Sequence, residues 1–284
     1  MFDTDAAEEP AYIRNADLPP LTVHRAAGLA VRTAGAGPAL ILVHGGGGSW
    51  LHWIRNIGPF SAHFTVHAID QPGFGDSPDI PPETDLDGFL DMMCAAVDEL
   101  CPDETPFSLV GFSFGGMLAA GMAARFGDRV RRVSLLAPGG FGAHKGGAPL
   151  EIRQRRRDMT REEILEVYRH NAGKIMLSKP PAFEDDAFAI YRDCLDRSRF
   201  KRGYIRESDR TRGFLAGFDA PLQLVWGEYD RNAWPSYADR LEACRAVRPD
   251  LDFAFVEKAG HWTQYEGAEA YNRAVLDFLT REAG

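Results

Sequence analysis

A serine set between glycines, Gly111-Phe112-Ser113-Phe114-Gly115, has spacing that suits one chemistry. An apolar run, Phe107-Ser108-Leu109-Val110, precedes it, and a small-residue segment from Gly116 to Phe126 follows. This predicts strand, sharp turn and helix with the serine at the turn, the context that gives G-x-S-x-G its weight as a nucleophile elbow. A strand that reverses into a helix over so few residues crowds its flanks, and glycine has no Cβ to clash. Alone, the pattern would also fit a glycine-rich turn with an incidental serine. A serine hydroxyl is a poor nucleophile until a base takes its proton, and the expected chain order is Ser, then Asp or Glu, then His. Trp226-Gly227-Glu228-Tyr229-Asp230 supplies the acid and Ala259-Gly260-His261-Trp262 the base. Asp230 would hold the imidazole in one tautomer and balance the imidazolium that forms. Glu228 is the rival acid, and Asp230 is preferred because it lies farther into the loop. A tetrahedral intermediate also needs donors for its oxyanion. The expected ones are the backbone N–H of Phe114 and that of Gly46, within His44-Gly45-Gly46-Gly47-Gly48. Such a glycine run could cradle phosphate, but it lacks the Lys-Ser/Thr of a Walker loop and the spacing of a dinucleotide turn.

These residues need elements to carry them. Ala39-Leu40-Ile41-Leu42-Val43 reads as a strand covered on both faces and runs into the glycine loop. A helical stretch is expected from Trp50 to Ala62, a strand over Thr65–Ile69, a helix over Asp85–Leu100 and a strand over Val130–Leu136. Leu21–Arg25 and Leu29–Thr33 flank Gly28 as an antiparallel hairpin. Strand rhythm stops after Gly140 and returns at Leu222–Trp226. Between them helices are predicted over Arg161–Ala172 and Glu184–Phe200. A helix near Ser236–Val247, a strand over Phe253–Val256 and a helix over Ala268–Glu282 complete the chain. The expected organisation is a loose N-terminal arm over 1–20, a core of 21–140 and 215–284, and a helical cap insertion over 141–214. The fold class is α/β, a mostly parallel doubly wound sheet with helices on both faces. In such sheets the site lies beyond the carboxyl ends of the strands, where the loops after Val43, Val110, Trp226 and Val256 all fall.

The 284 residues suffice for one large domain or two small ones. A net charge of −9 argues against general nucleic-acid binding. Residues 139–215 nevertheless hold 17 Lys and Arg against 12 Asp and Glu, while the remainder holds 15 against 29. A basic insert on an acidic body could draw an anionic substrate, although most such charges serve as a solvated helical surface. Cys94, Cys101, Cys194 and Cys244 show neither metal spacing nor a disulfide framework. They suit reduced thiols of a cytoplasmic protein, and no secretion signal or membrane-spanning run is read. The expected partner is a small-molecule substrate, without nucleic acid or membrane, and a homo-oligomer is compatible with the sequence.

With these stretches in view, the chain resembles an α/β-hydrolase, in particular the meta-cleavage product hydrolases, serine-dependent C–C bond hydrolases of aromatic catabolism. The resemblance rests on His44–Gly48, Arg55–Phe60, Pro72–Ser77, Gly111–Gly116, Pro138–Gly142, Trp226–Arg231 and His261–Glu266. It implies the α/β-hydrolase fold, a cofactor-independent and metal-free reaction, a triad of Ser113, Asp230 and His261, and oxyanion donors at Gly46 and Phe114. It further implies substrate contacts from Trp262 and from a cap arginine, for which Arg192 is the candidate. The family usually has an asparagine where this chain has His52; histidine can donate a hydrogen bond there, but its charge and reach differ. His24, His63, His67 and His144 have no partner pattern and receive no role. The expected function is a serine hydrolase acting on a small organic acid or ester, by C–C cleavage of a vinylogous diketone acid or by carboxylic ester hydrolysis. Two other classes share the same residues: a cofactor-free haloperoxidase or perhydrolase, and a hydrolase-derived small-molecule receptor.

Overall fold

The computed structural model describes residues 10–142, 150–201, 203–206 and 208–281. His144 and the expected last residue of the final helix, Glu282, lie outside them. Eight strands form one sheet: β1 (Thr22–Ala26), β2 (Leu29–Ala34), β3 (Ala39–Val43), β4 (Thr65–Ile69), β5 (Phe107–Phe112), β6 (Val130–Leu136), β7 (Leu222–Gly227) and β8 (Asp252–Val256). Their order is β1-β2-β4-β3-β5-β6-β7-β8. The β1–β2 hairpin and the β2–β4 pair are antiparallel, and every later pair is parallel. The class read from the alternation of strands and helices is therefore the class observed.

The central strands explain themselves by burial. Leu40, Ile41, Leu42 and Val43 of β3 are fully buried, as are Leu109 and Val110 of β5. Continuous apolar runs of this kind belong to strands covered on both faces. The helix Leu86–Leu100 buries Phe89, Leu90, Met93, Ala96 and Val97 at helical spacing. Its N-terminus is capped by Asp85, whose carboxylate accepts from the Gly88 amide at 2.8 Å. The helix Phe114–Phe126 is apolar almost all round because it is buried on all sides near its start.

Between β6 and β7 the described residues form helices Arg161–Ile175, Asp186–Asp196, Gly203–Arg206 and Thr211–Leu215, and no strand. This segment bonds to the body at several points. Met176 O accepts from the Trp262 amide at 2.7 Å, the Ser178 hydroxyl donates to Glu266 at 2.8 Å, and Arg197 pairs with Asp76. Phe200 stacks on Phe74 with ring centroids 4.9 Å apart.

Two stretches depart from expectation. The Trp50–Ala62 stretch is a 3₁₀ turn, Trp50–Trp53, and a short helix, Ile57–Ser61, with a break between. Pro59 has no N–H to donate back to Arg55 O, and that carbonyl accepts instead from the Asn272 side-chain amide at 3.0 Å. The break also frees the Asn56 side chain to donate to Gln264 O at 2.9 Å and to Asn272 Oδ1 at 2.7 Å. The N-terminal arm is not loose where it is described: Ala11–Arg14 is a helical turn and Tyr12 is buried. Acidic and proline-bounded sequence reads as solvated, but Tyr12 covers apolar surface beside Asp193 and Cys194, and burial pushes its hydroxyl pKa to about 12. No helix among the described residues is long and apolar enough to cross a membrane.

His67, to which the sequence assigned nothing, sits under the hairpin. Its Nδ1 lies 2.9 Å from Thr33 Oγ1, which also bonds His24 Nε2 at 2.8 Å. Burial, helped by repulsion from His24, lowers the His67 pKa to about 4. A depressed histidine pKa means that the fold binds the proton more weakly than the unfolded chain. Its stabilising contribution is complete above about pH 6.5 and is lost as pH falls toward 4. Between pH 7 and 5 the loss from this one group is about 2 kcal/mol. Urea unfolding at both pH values should show a shallower acid loss in His67→Asn, which keeps a polar atom near Nδ1 without a titrating ring. An equal loss in both proteins would mean that His67 does not carry this sensitivity.

Candidate active site

The turn after β5 begins with unusual backbone. Ser113 has φ 53° and ψ −117°, a left-handed conformation that costs a non-glycine residue about 1–3 kcal/mol. The flanking glycines remove the clashes that would make the turn impossible. A Cβ on Gly115 would lie 2.2 Å from His44 O, and one on Gly111 would lie 2.5 Å from Gly115 O. The turn is then pinned by hydrogen bonds. Ser113 N donates to Leu136 O at 2.9 Å, and Ser113 O accepts from Gly139 N at 2.8 Å. The hydroxyl is left half-buried beyond the ends of the strands.

Ser113 Oγ lies 2.9 Å from His261 Nε2, and His261 Nδ1 lies 2.9 Å from Asp230 Oδ2. Ring and carboxylate are buried, at 7% and 1% exposure. The second carboxylate oxygen, Asp230 Oδ1, accepts from the Asn232 amide at 2.8 Å. Both oxygens are thus committed and the carboxylate cannot swing. Ionised Asp230 can only accept, so His261 carries its proton on Nδ1 and presents a bare Nε2 to the serine. The rival acid, Glu228, turns elsewhere and accepts from the Lys258 amide at 2.8 Å.

The glycine loop after β3 passes beside the serine: a Cβ on Gly45 would stand 3.4 Å from Ser113 Cβ. Gly46 is half-buried, and no hydrogen bond to its amide or to that of Phe114 occurs among the described residues. A fully buried scaffold that the sequence did not reveal holds this loop. His44 Nδ1 donates to Gly45 O at 2.8 Å, and His44 Nε2 accepts from Gln71 N at 3.0 Å. Burial lowers the His44 pKa, which keeps the ring neutral in this tautomer.

Three expected substrate contacts fare differently. His52 is 2% exposed, with Nδ1 accepting from Gly45 N at 3.2 Å and its ring against Phe112 and Trp262. Burial first, then the neighbouring His44 and His261, holds its pKa well below the usual value. Trp262 is fully buried, stacked on Tyr265 at 4.2 Å, and its Nε1 donates to His52 O at 3.1 Å. The expectation that these two rings touch substrate is therefore corrected: they brace the glycine loop and the His261 loop from behind. Arg192 is half-buried on the helix Asp186–Asp196 and makes no hydrogen bond or ion pair among the described residues. Three residues on, Leu195 would meet a Cβ on Gly47 at 3.2 Å, so that helix lies over the glycine loop.

A cavity of about 400 Å³ opens at Ser113 and His261, with Pro138, Phe141, Trp226 and Arg240 in its walls. That volume is in the range of small-molecule sites. No group of three or more His, Cys, Asp or Glu among the described residues is arranged to hold a metal.

The sequence profile of the alpha/beta hydrolase family matches residues 40–274. A 2-hydroxy-6-oxo-6-phenylhexa-2,4-dienoate hydrolase of Burkholderia cepacia is 29% identical, over 87% of this chain and 89% of its own. A 2-hydroxy-6-oxononadienedioate/2-hydroxy-6-oxononatrienedioate hydrolase of Comamonas testosteroni is 26% identical, over 87% of this chain and 89% of its own. Among solved structures, the enol-lactonase from Burkholderia xenovorans LB400 superposes with a TM-score of 0.71 at 22% identity, over 92% of this chain and all of its own (100%). At that identity the likeness is one of fold.

Proposed function

The chain belongs to the alpha/beta hydrolase family, and from that premise we propose that it is a serine hydrolase working through Ser113, His261 and Asp230. The observation that carries this reading is the unbroken hydrogen-bonded chain from Asp230 Oδ2 through both ring nitrogens of His261 to Ser113 Oγ. In the first step Ser113 Oγ attacks a carbonyl carbon while its proton passes to His261 Nε2. The oxyanion is received by the amides of Gly46 and Phe114, which are otherwise unused among the described residues. The tetrahedral intermediate collapses, the leaving group takes the proton from His261, and a water hydrolyses the acyl-enzyme by the same route in reverse.

The substrate is a small organic acid or ester. The two relatives are named as hydrolases of a dienoate and of a dienedioate or trienedioate, which favours a C–C bond flanked by a ketone and a conjugated acid. For such a substrate the leaving carbon must be protonated first, so tautomerisation precedes attack. The segment 141–214 serves as a cap over the strand ends, and Arg192 on its second long helix meets the acid's carboxylate. An ester needs only the triad, the oxyanion donors and the cavity.

Purified enzyme assayed with a phenyl-substituted 2-hydroxy-6-oxo-dienoate separates the two. Bleaching of the dienoate's visible absorbance that depends on Ser113 is the expected result. Good turnover of a 4-nitrophenyl ester with no bleaching would leave a carboxylesterase. Labelling of Ser113 by phenylmethylsulfonyl fluoride without loss of activity would end the serine mechanism altogether.

A further inference from the structure

Arg240 enters the cavity from a direction that the substrate contacts read from the sequence did not include. It stands on the helix Tyr237–Arg245, after the Asp230 loop, and not on the helix Asp186–Asp196 that carries Arg192. It is the one lysine or arginine lining the cavity at Ser113 among the described residues.

Its guanidinium lies 4.4 Å from the ring centroid of Phe141. Stacking of that kind fixes the plane of the group and leaves its edge N–H donors available. Among the described residues the Arg240 side chain makes no hydrogen bond and no ion pair, although it is half-buried. Several other arginines before and after it in the chain have polar partners. Arg231 donates to Gly173 O at 2.8 Å, Arg212 lies 3.4 Å from Asp209, and Arg248 lies 2.9 Å from Asp250. Burial lowers the Arg240 pKa, while the more distant carboxylates Asp209, Asp230 and Asp239 oppose that shift.

Charge balance for Asp230 does not account for the arrangement. The two Asp230 oxygens are taken by His261 Nδ1 and the Asn232 amide, and Arg240 does not pair with either. The side-chain amide of Asn232 is spent as well, on Ile175 O at 2.6 Å. A half-buried guanidinium with unused donors is costly unless something anionic arrives to meet it.

We infer that Arg240 binds a carboxylate on the acyl part of the substrate, the part that would remain attached to Ser113. This inference rests on reading the cavity at Ser113 as the acyl site. It makes the preferred substrate one whose acyl chain ends in an acid, whatever bond is cut.

The test compares mono-4-nitrophenyl glutarate, whose acyl chain ends in a carboxylate, with neutral 4-nitrophenyl butyrate. Binding of both is measured by calorimetry to Ser113→Ala protein, which holds them uncleaved, and turnover is measured with Ser113 intact. The acid should bind at least about tenfold more tightly than the neutral ester, as a charge-assisted bidentate contact requires. Arg240→Gln should abolish that preference, and Arg240→Lys, which keeps the charge but not the fork, should retain part of it. The acid-to-neutral ratio of kcat/KM should collapse in parallel. No preference with Arg240 intact, or a preference that survives Arg240→Gln and is lost in Arg192→Ala, would overturn the inference. Acid-selective binding through Arg240 without turnover of either ester or of the dienoate would keep the anion site and discard the hydrolase reading instead.

Discussion

Ser113→Ala is expected to lower ester or dienoate turnover by about 10⁴-fold or more, with folding intact. The magnitude follows from what the hydroxyl does. Without Oγ there is no covalent path, and the amides that remain can only polarise a carbonyl toward water. Enzymes with such triads retain roughly 10³–10⁴ over the uncatalysed rate when the nucleophile is removed, a small remnant of the whole. The fold should tolerate the change. Alanine keeps the Cβ already accommodated at φ 53°, and the Ser113 backbone bonds to Leu136 and Gly139 do not involve the side chain. The measurement is steady-state turnover together with thermal unfolding. A variant that unfolds normally and keeps a tenth of the wild-type rate would exclude Ser113 as nucleophile.

Asp230→Asn should be nearly as damaging, about 10⁴-fold in kcat, and the reason lies in the partner of the second oxygen. The Asn232 amide donates to Oδ1 at 2.8 Å, so an asparagine at 230 would turn its carbonyl toward that donor. Its NH₂ would then face His261 Nδ1, 2.9 Å from Oδ2 in the wild type. Nδ1 would have to accept, the ring proton would move to Nε2, and the imidazole could no longer take the serine's proton. The imidazolium would also lose its counter-charge in a site where both groups are buried. Glu228→Gln should cost little turnover, because Glu228 accepts from the Lys258 amide and does not meet His261. Rates near neutral pH and nucleophile labelling at higher pH check both variants. Comparable losses in the two would mean that the acid is not Asp230.

Much of this site was legible before any coordinates, because its signals are local. Gly111 and Gly115 mark a turn that admits no Cβ, apolar runs mark the strands that end at Val43, Phe112, Gly227 and Val256, and the loops after them carry Ser113, Asp230 and His261 in the expected order. Backbone sterics and strand hydrophobicity act over a few residues, so they are written in the chain itself. What the chain could not declare is which surfaces meet. Ser113 and His261 are 148 positions apart, and only the sheet order brings their strand ends together. His52 and Trp262 have the chemistry of substrate contacts, yet packing seals both rings into the wall. Tyr12 lies in a stretch whose composition reads as solvated, yet it is buried. Arg240 looks like one more charge on an exposed helix until Phe141 and the cavity are seen beside it. Burial and facing direction depend on long-range contacts between elements, and residue type and spacing do not encode those contacts.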